Sequence, residues 1–91
     1  MLARKPSAVY EAAMIDAAQM RAARAMLGWR MEDLSAKAGV SLASIKNIER
    51  GVTDPRASTL RSIQAALEGA GIVFLDAGDM RPGGKGVRLK S

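Results

Sequence analysis

Apolar side chains recur at helical spacing through most of this chain, and the rhythm changes only near its end. Met20, Ala23 and Leu27 share one face of residues 16–27, the spacing of an amphipathic helix. Asp16 suits the positive first turn of that helix and Gly28 suits its end. A second helix is predicted over 31–38, with Leu34 and Ala38 inward and Glu32 and Asp33 complementing its positive end. Its cap position holds Arg30, where serine or threonine is expected. Either this helix starts poorly or Arg30 reaches out to something anionic. Gly39 makes a turn, Val40 anchors it, and Ser41 caps a third helix that ends at Gly51. A loop over 52–56, held by Asp54-Pro55, leads to a fourth helix over 58–68 whose apolar stripe is Leu60, Ile63 and Leu67.

From residue 72 the pattern becomes strand-like. Ile72, Val73, Phe74 and Leu75 form one apolar run, and Val87-Arg88-Leu89 follow a Gly/Pro-rich stretch over 78–86. Two strands with an irregular connection are the simplest reading, since the gap exceeds the about two to five residues of a tight hairpin. A lone two-stranded hairpin is marginal in water. Pairing with the same element of a second copy would add strands and cover the edges. Ile72, Phe74, Val87 and Leu89 are the expected contacts between copies. Residues 1–14 read as an N-terminal arm that turns helical near Val9. A solvated tail is the plain reading of this arm, and phosphate contact by Arg4 and Lys5 is the other. The expected organisation is mainly α: the arm at 1–14, four to five short helices within 15–71, and a strand extension at 72–91, forming a C-terminal β-hairpin or strand pair.

Composition narrows what such a fold can do. The 91 residues allow one small domain with a modest core. Apolar residues make up 48% of the chain, many of them alanine, which favours helix. The net charge of +5 suits a polyanionic partner, although a solubilising surface would look similar. The chain has no cysteine and no histidine. Disulfides, Cys/His zinc sites and histidine acid–base catalysis are therefore excluded. No nucleophile–base pair or metal-ligand cluster is visible, and no cofactor or metal is expected. Pro82-Gly83-Gly84-Lys85-Gly86 lacks the spacing of a phosphate-cradling loop and leads into no helix, so it reads as a flexible connector. No stretch approaches the roughly 20 apolar residues of a membrane span. The first residues lack the apolar core of a secretory signal. A cytoplasmic, nucleoid-associated protein is expected, and not an enzyme.

The segment 29–51, WRMEDLSAKAGVSLASIKNIERG, carries the most information. Two short helices flank a Gly-containing turn, the build of a helix-turn-helix whose second helix enters the DNA major groove. On that second helix Ile45 and Ile48 point to the core, while Leu42, Ala43, Lys46 and Asn47 fall on the opposite side. Lys46 can donate to guanine edges or phosphate, and Asn47 can pair with an adenine edge. Leu42 and Ala43 offer apolar contact to a thymine methyl. Ser41 and Ser44 can bond phosphate beside the helix start. The bland alternative is an ordinary wet helix face. Glu49 lies four residues after Ile45 and so faces inward, as does Arg24 on the first helix. A buried carboxylate needs a partner, so an Arg24–Glu49 bridge is expected to tie the first helix to the third. Two solvated charges are the competing reading.

At these residues the chain resembles the Cro/C1-type, or XRE, helix-turn-helix family of prokaryotic and phage regulators. The resemblance runs from about Gln19 to Phe74. It is carried by Ala23-Arg24 before Leu27-Gly28, Glu32-Asp33-Leu34, Ala38-Gly39-Val40-Ser41, Ile45 and Ile48-Glu49-Arg50-Gly51. Pro55, Thr59-Leu60, Ala66-Leu67-Glu68 and Gly71-Ile72-Val73-Phe74 extend it. It implies a lambda-repressor-like helical domain that binds double-stranded DNA as a homodimer on palindromic operators. By that resemblance Leu42, Ala43, Lys46 and Asn47 take base-reading positions, and Ser41, Ser44, Thr53 and Arg56 take backbone-contacting ones. The family often opens its second helix with Ser or Thr and then Gln, where the Gln helps hold a phosphate. Here Arg30 and Met31 stand in those places; Met31 cannot make that bond, and Arg30 is its candidate replacement. The strands after the helices look like the extensions that some members, toxin–antitoxin regulators among them, use to dimerise. The leading expectation is a repressor. The alternative is an antitoxin or antiactivator whose main partner is another protein, such as a toxin.

Overall fold

Helix α1 (Ala17–Leu27) starts with a reciprocal capping box. The Asp16 carboxylate accepts the Gln19 N–H at 2.8 Å, and the Gln19 side-chain oxygen accepts the Asp16 N–H at 3.0 Å. Two backbone donors that the first turn would leave orphaned are thereby satisfied. Asp16 is thus the cap itself rather than a first-turn residue. The computed structural model describes residues 15–75 and 85–90. The expected arm at 1–14, with Arg4 and Lys5, lies outside the described residues, as does most of the Gly/Pro-rich connection.

The odd start of α2 (Met31–Ala38) has a local solution. Arg30 cannot cap with its side chain, but Asp33 reaches back and accepts the Arg30 N–H at 2.8 Å. That is half of a capping box, made from the helix side only. The Arg30 guanidinium lies 3.8 Å from the same carboxylate and is otherwise in solvent. Met31 packs against the core.

Gly39 ends α2 at φ 69° and Gly51 follows α3 (Leu42–Glu49) at φ 73°. The second helix of the pair therefore stops at Glu49, two residues short of the glycine. Gly51 N–H bonds the Ile48 carbonyl at 3.0 Å and Val52 N–H bonds that of Asn47 at 3.1 Å, a Schellman ending. Nothing stands near the place a Cβ would take at either glycine. The left-handed backbone angle, not space, is what calls for glycine there. The Ser35 hydroxyl donates to the Val40 carbonyl at 2.6 Å and braces the turn between α2 and α3. A fourth helix, α4 (Ala57–Gly69), completes the set among the described residues.

Strands β1 (Ile72–Leu75) and β2 (Gly86–Leu89) form an antiparallel pair, with Ile72 opposite Leu89 and Phe74 opposite Val87. Lys90 N–H bonds the Gly71 carbonyl at 2.6 Å. By the alternation of an antiparallel ladder, the outward main-chain groups then belong to Ile72 and Phe74 on one edge and to Val87 and Leu89 on the other. β1 packs against α4 and β2 against α1.

The core joins all of these elements. Met20 and Ala23 of α1, Leu34 of α2, Ile45 and Ile48 of α3, Ile63 and Leu67 of α4 and Ile72 of β1 are buried together, with Ile15 beside them. Ile72 was expected at a contact between copies. It is instead 2% exposed in the chain's own core, because β1 leaves α4 through Ala70-Gly71 and lies against that helix. Phe74 and Val87 are half-buried against the same core, and Leu89 remains 44% exposed. Leu34→Ala removes a side chain with no exposed surface and is expected to cost about 2–5 kcal/mol in urea unfolding. Val52→Ser, at a 60% exposed site, is expected to stay within about 0.5 kcal/mol of the parent.

Candidate nucleic-acid interface

Burial divides α3 into two faces. Ile45, Ile48 and Glu49 are buried; Ala43 and Lys46 are exposed, and Leu42 and Asn47 are half-exposed. The side chains of Lys46 and Asn47 carry no intramolecular hydrogen bond or ion pair among the described residues. Their donors and acceptors are therefore open to an outside partner.

The hydroxyls at the start of α3 share one bonded unit. Ser41 Oγ accepts the Ser44 N–H at 3.1 Å and donates to Ser44 Oγ at 2.9 Å. Ser44 thus keeps its own O–H to give. Ser44 lines an open cleft of about 380 Å³ together with Asn47, Ile48, Thr53, Asp54, Pro55, Arg56 and Thr59. Four of the residues predicted for DNA contact, Ser44, Asn47, Thr53 and Arg56, are brought together here. The cleft opens beside the first turn of α4, whose cap residue Arg56 makes no side-chain capping bond. Unpaired N–H groups at a helix start favour anions, so the cleft combines hydroxyls, an exposed guanidinium and a positive helix end. Arg30 is not part of it and stands at the start of α2 beside Asp33.

What sets the angle of α3 is a joint with α1. Arg24 Nε and Nη2 donate to the two carboxylate oxygens of Glu49, each at 2.8 Å, and Nη1 donates to the Trp29 carbonyl at 2.9 Å. The Glu49 side chain is 1% exposed and that of Arg24 19%. The pair is bidentate and nearly dry, the geometry in which guanidinium and carboxylate match best. Arg21, a turn earlier, donates to the Glu49 backbone carbonyl at 2.6 Å and so satisfies an orphan acceptor at the end of α3. The hydrogen bond to Glu49 raises the Arg24 pKa above its ordinary value; burial opposes this, and the charges of Glu49 and Glu32 reinforce it.

Three useful residues escaped the sequence reading. Gln19 was detectable from the Asp16-x-x-Gln19 capping spacing, but its contacts with distant strands were not. Arg21 looked like any solvated helix charge. Thr59 was noted only as part of a motif, and its place in the cleft depends on how α4 meets α3.

These features define a helix-turn-helix DNA-binding protein. The helix-turn-helix family model matches residues 20–70, more than half of the chain, and the chain belongs to that family, in its Cro/C1 (XRE) type. It is a DNA-binding regulator of that type. No curated protein matches it. Among the described residues no helix is long and apolar enough to cross a membrane.

Removing one partner of the buried pair strands the other. Arg24→Ala is expected to cost about 3–5 kcal/mol in denaturant unfolding. The double variant Arg24→Met with Glu49→Leu is expected to recover most of that loss, because no charge is then left buried. A raised arginine pKa means that this stabilisation is full below the unfolded value and lost only as pH rises through the folded one. Unfolding free energies of the parent minus those of Arg24→Ala should therefore be flat with respect to arginine titration until strong alkali.

Proposed function

We infer that this protein is a repressor that binds a palindromic operator as a homodimer, with α3 in the major groove of each half-site. The observation that carries the reading is the exposed set Leu42, Ala43, Lys46 and Asn47, backed by buried Ile45 and Ile48. Lys46 and Asn47 read base edges by hydrogen bonds, and Leu42 and Ala43 touch thymine methyls. Ser41, Ser44, Thr53 and Arg56 hold the phosphate backbone, with Arg30 as an outlying contact. With so few hydrogen-bonding groups on the reading face, DNA shape contributes to specificity. Arg24 and Glu49 serve structure, not readout.

The edge of β2 supplies the joint between protomers. Val87 and Leu89 carry outward main-chain groups there, and Leu89 is 44% exposed, whereas Ile72 on the β1 edge is covered. Two β2 strands pairing about a twofold axis give a four-stranded sheet flanked by two reading helices about 34 Å apart, one turn of DNA. Phe74, half-buried, sits behind this edge. We assign no catalytic role to a member of a DNA-binding family, and we place it in the cytoplasm on the nucleoid.

A second reading draws on the hairpin, which lies beyond the family match at 20–70. An antitoxin-like regulator would engage a protein partner through the same β2 edge. Recovery of a stoichiometric second protein with the tagged chain from its native host supports that role, and recovery of the chain alone counts against it.

Site selection from random duplex DNA is expected to return a symmetric sequence with half-site centres about 10 base pairs apart. Lys46→Ala should weaken the selected site by about 1–3 kcal/mol and leave random DNA nearly unaffected. Arg56→Ala should weaken both and lower the salt slope by about one. Titrations by fluorescence anisotropy at several salt concentrations separate the two. Parent-like behaviour of both variants would refute the assigned surface.

A further inference from the structure

One buried polar group is not used by either the core or the DNA-facing surface. Gln19 is 4% exposed. Its side-chain oxygen belongs to the α1 capping box, while its side-chain nitrogen donates to the Leu75 carbonyl at 3.2 Å and the Gly86 carbonyl at 3.0 Å. Leu75 and Gly86 face each other across the hairpin. One amide therefore clasps both strands at the end of their ladder. Outside it, Lys85 Nζ lies 3.9 Å from the Asp16 carboxylate.

Less than two helical turns further along α1, Arg21 and Arg24 hold Glu49 at the end of the reading helix. The same rigid helix is thus bonded to β2 at one end and to α3 towards the other. An apolar contact at the Gln19 position would permit sliding; two directional hydrogen bonds to opposed carbonyls fix position and angle. These two bonds from one amide join α1 to both strands of the hairpin.

We propose that Gln19 is a positioning residue for operator recognition: its amide fixes the β-hairpin relative to α1, and so sets the half-site separation that the dimer accepts. The proposal rests on the reading that β2 joins the protomers. A change of angle at the clasp is carried through α1 to both reading helices, in opposite senses about the twofold axis.

The test uses duplexes bearing two copies of the selected half-site at a series of separations, and a duplex bearing one copy. The parent is expected to prefer one separation by about tenfold over neighbours one base pair away, since each base pair rotates the second site around the helix. Gln19→Glu keeps the acceptor for the Asp16 N–H and turns the donor into a group that repels both carbonyls. It is expected to flatten the preference to under about threefold while single-half-site affinity stays within about twofold. Gln19→Met, similar in length and uncharged, gives the same result if the carboxylate prevents folding. Ile63→Val loosens the core away from the clasp and should retain the parent profile. A parent-like profile in both Gln19 variants, or a flattened one in Ile63→Val, overturns the proposal. A parent that shows no dependence on two half-sites overturns the dimeric reading itself, before any variant is compared.

Discussion

The bridge between Arg24 and Glu49 is the constraint on which the rest of this small fold turns. Glu49 lies on the buried side of α3, where a carboxylate without a partner would be very costly. Arg24 meets it with two hydrogen bonds and uses its remaining nitrogen on the Trp29 carbonyl. One guanidinium therefore fixes both the end of α3 and the chain between α1 and α2. A hydrophobic pair of similar volume would hold the helices together as well or better. What it would not supply is direction. Planar, bidentate bonding specifies how one helix is rotated against the other, and the rotation of α3 decides which side chains protrude.

Around that joint, the starts of α1, α2 and α3 are each closed by a different local device. Asp16 and Gln19 cap α1 reciprocally, Asp33 caps α2 from within, and Ser41 caps α3. Gly39 and Gly51 end α2 and α3. These devices keep two eight-residue helices in place that would be too short to persist alone in water. The turn between them is held at a further point, the Ser35 hydroxyl on the Val40 carbonyl. The outward face of α3 is thus held in place by bonds that leave the side chains of Lys46 and Asn47 unused.

Much of this was legible in the residues. The i, i+3, i+7 rhythm of Met20, Ala23 and Leu27 and the stripe of Leu60, Ile63 and Leu67 locate helices because burial selects for spacing. Glu49 pointed to a partner because its position on the wheel conflicts with its charge. Other features were not legible, for physical reasons. Ile72 reads the same whether it faces a second copy or its own core; only the path of Gly71 out of α4 decides. The clasp of Gln19 on Leu75 and Gly86 joins residues far apart in sequence, and a glutamine among helix residues carries no mark of such a role. The cleft beside Thr59 arises where two helices meet, and no local pattern encodes it.

The brevity of β2 has a consequence for how occupancy responds to supply. Val87 and Leu89 would offer an incoming strand about four main-chain hydrogen bonds, together worth about 4 kcal/mol before the cost of association, so the Kd would be millimolar or weaker. If the proposed dimer forms, protomers joined by that edge alone would stay mostly apart in free solution and come together where DNA had already gathered them. Binding would then scale with roughly the square of protein abundance, and a gene repressed in that way would be shut off over a narrow window of expression rather than in proportion to it.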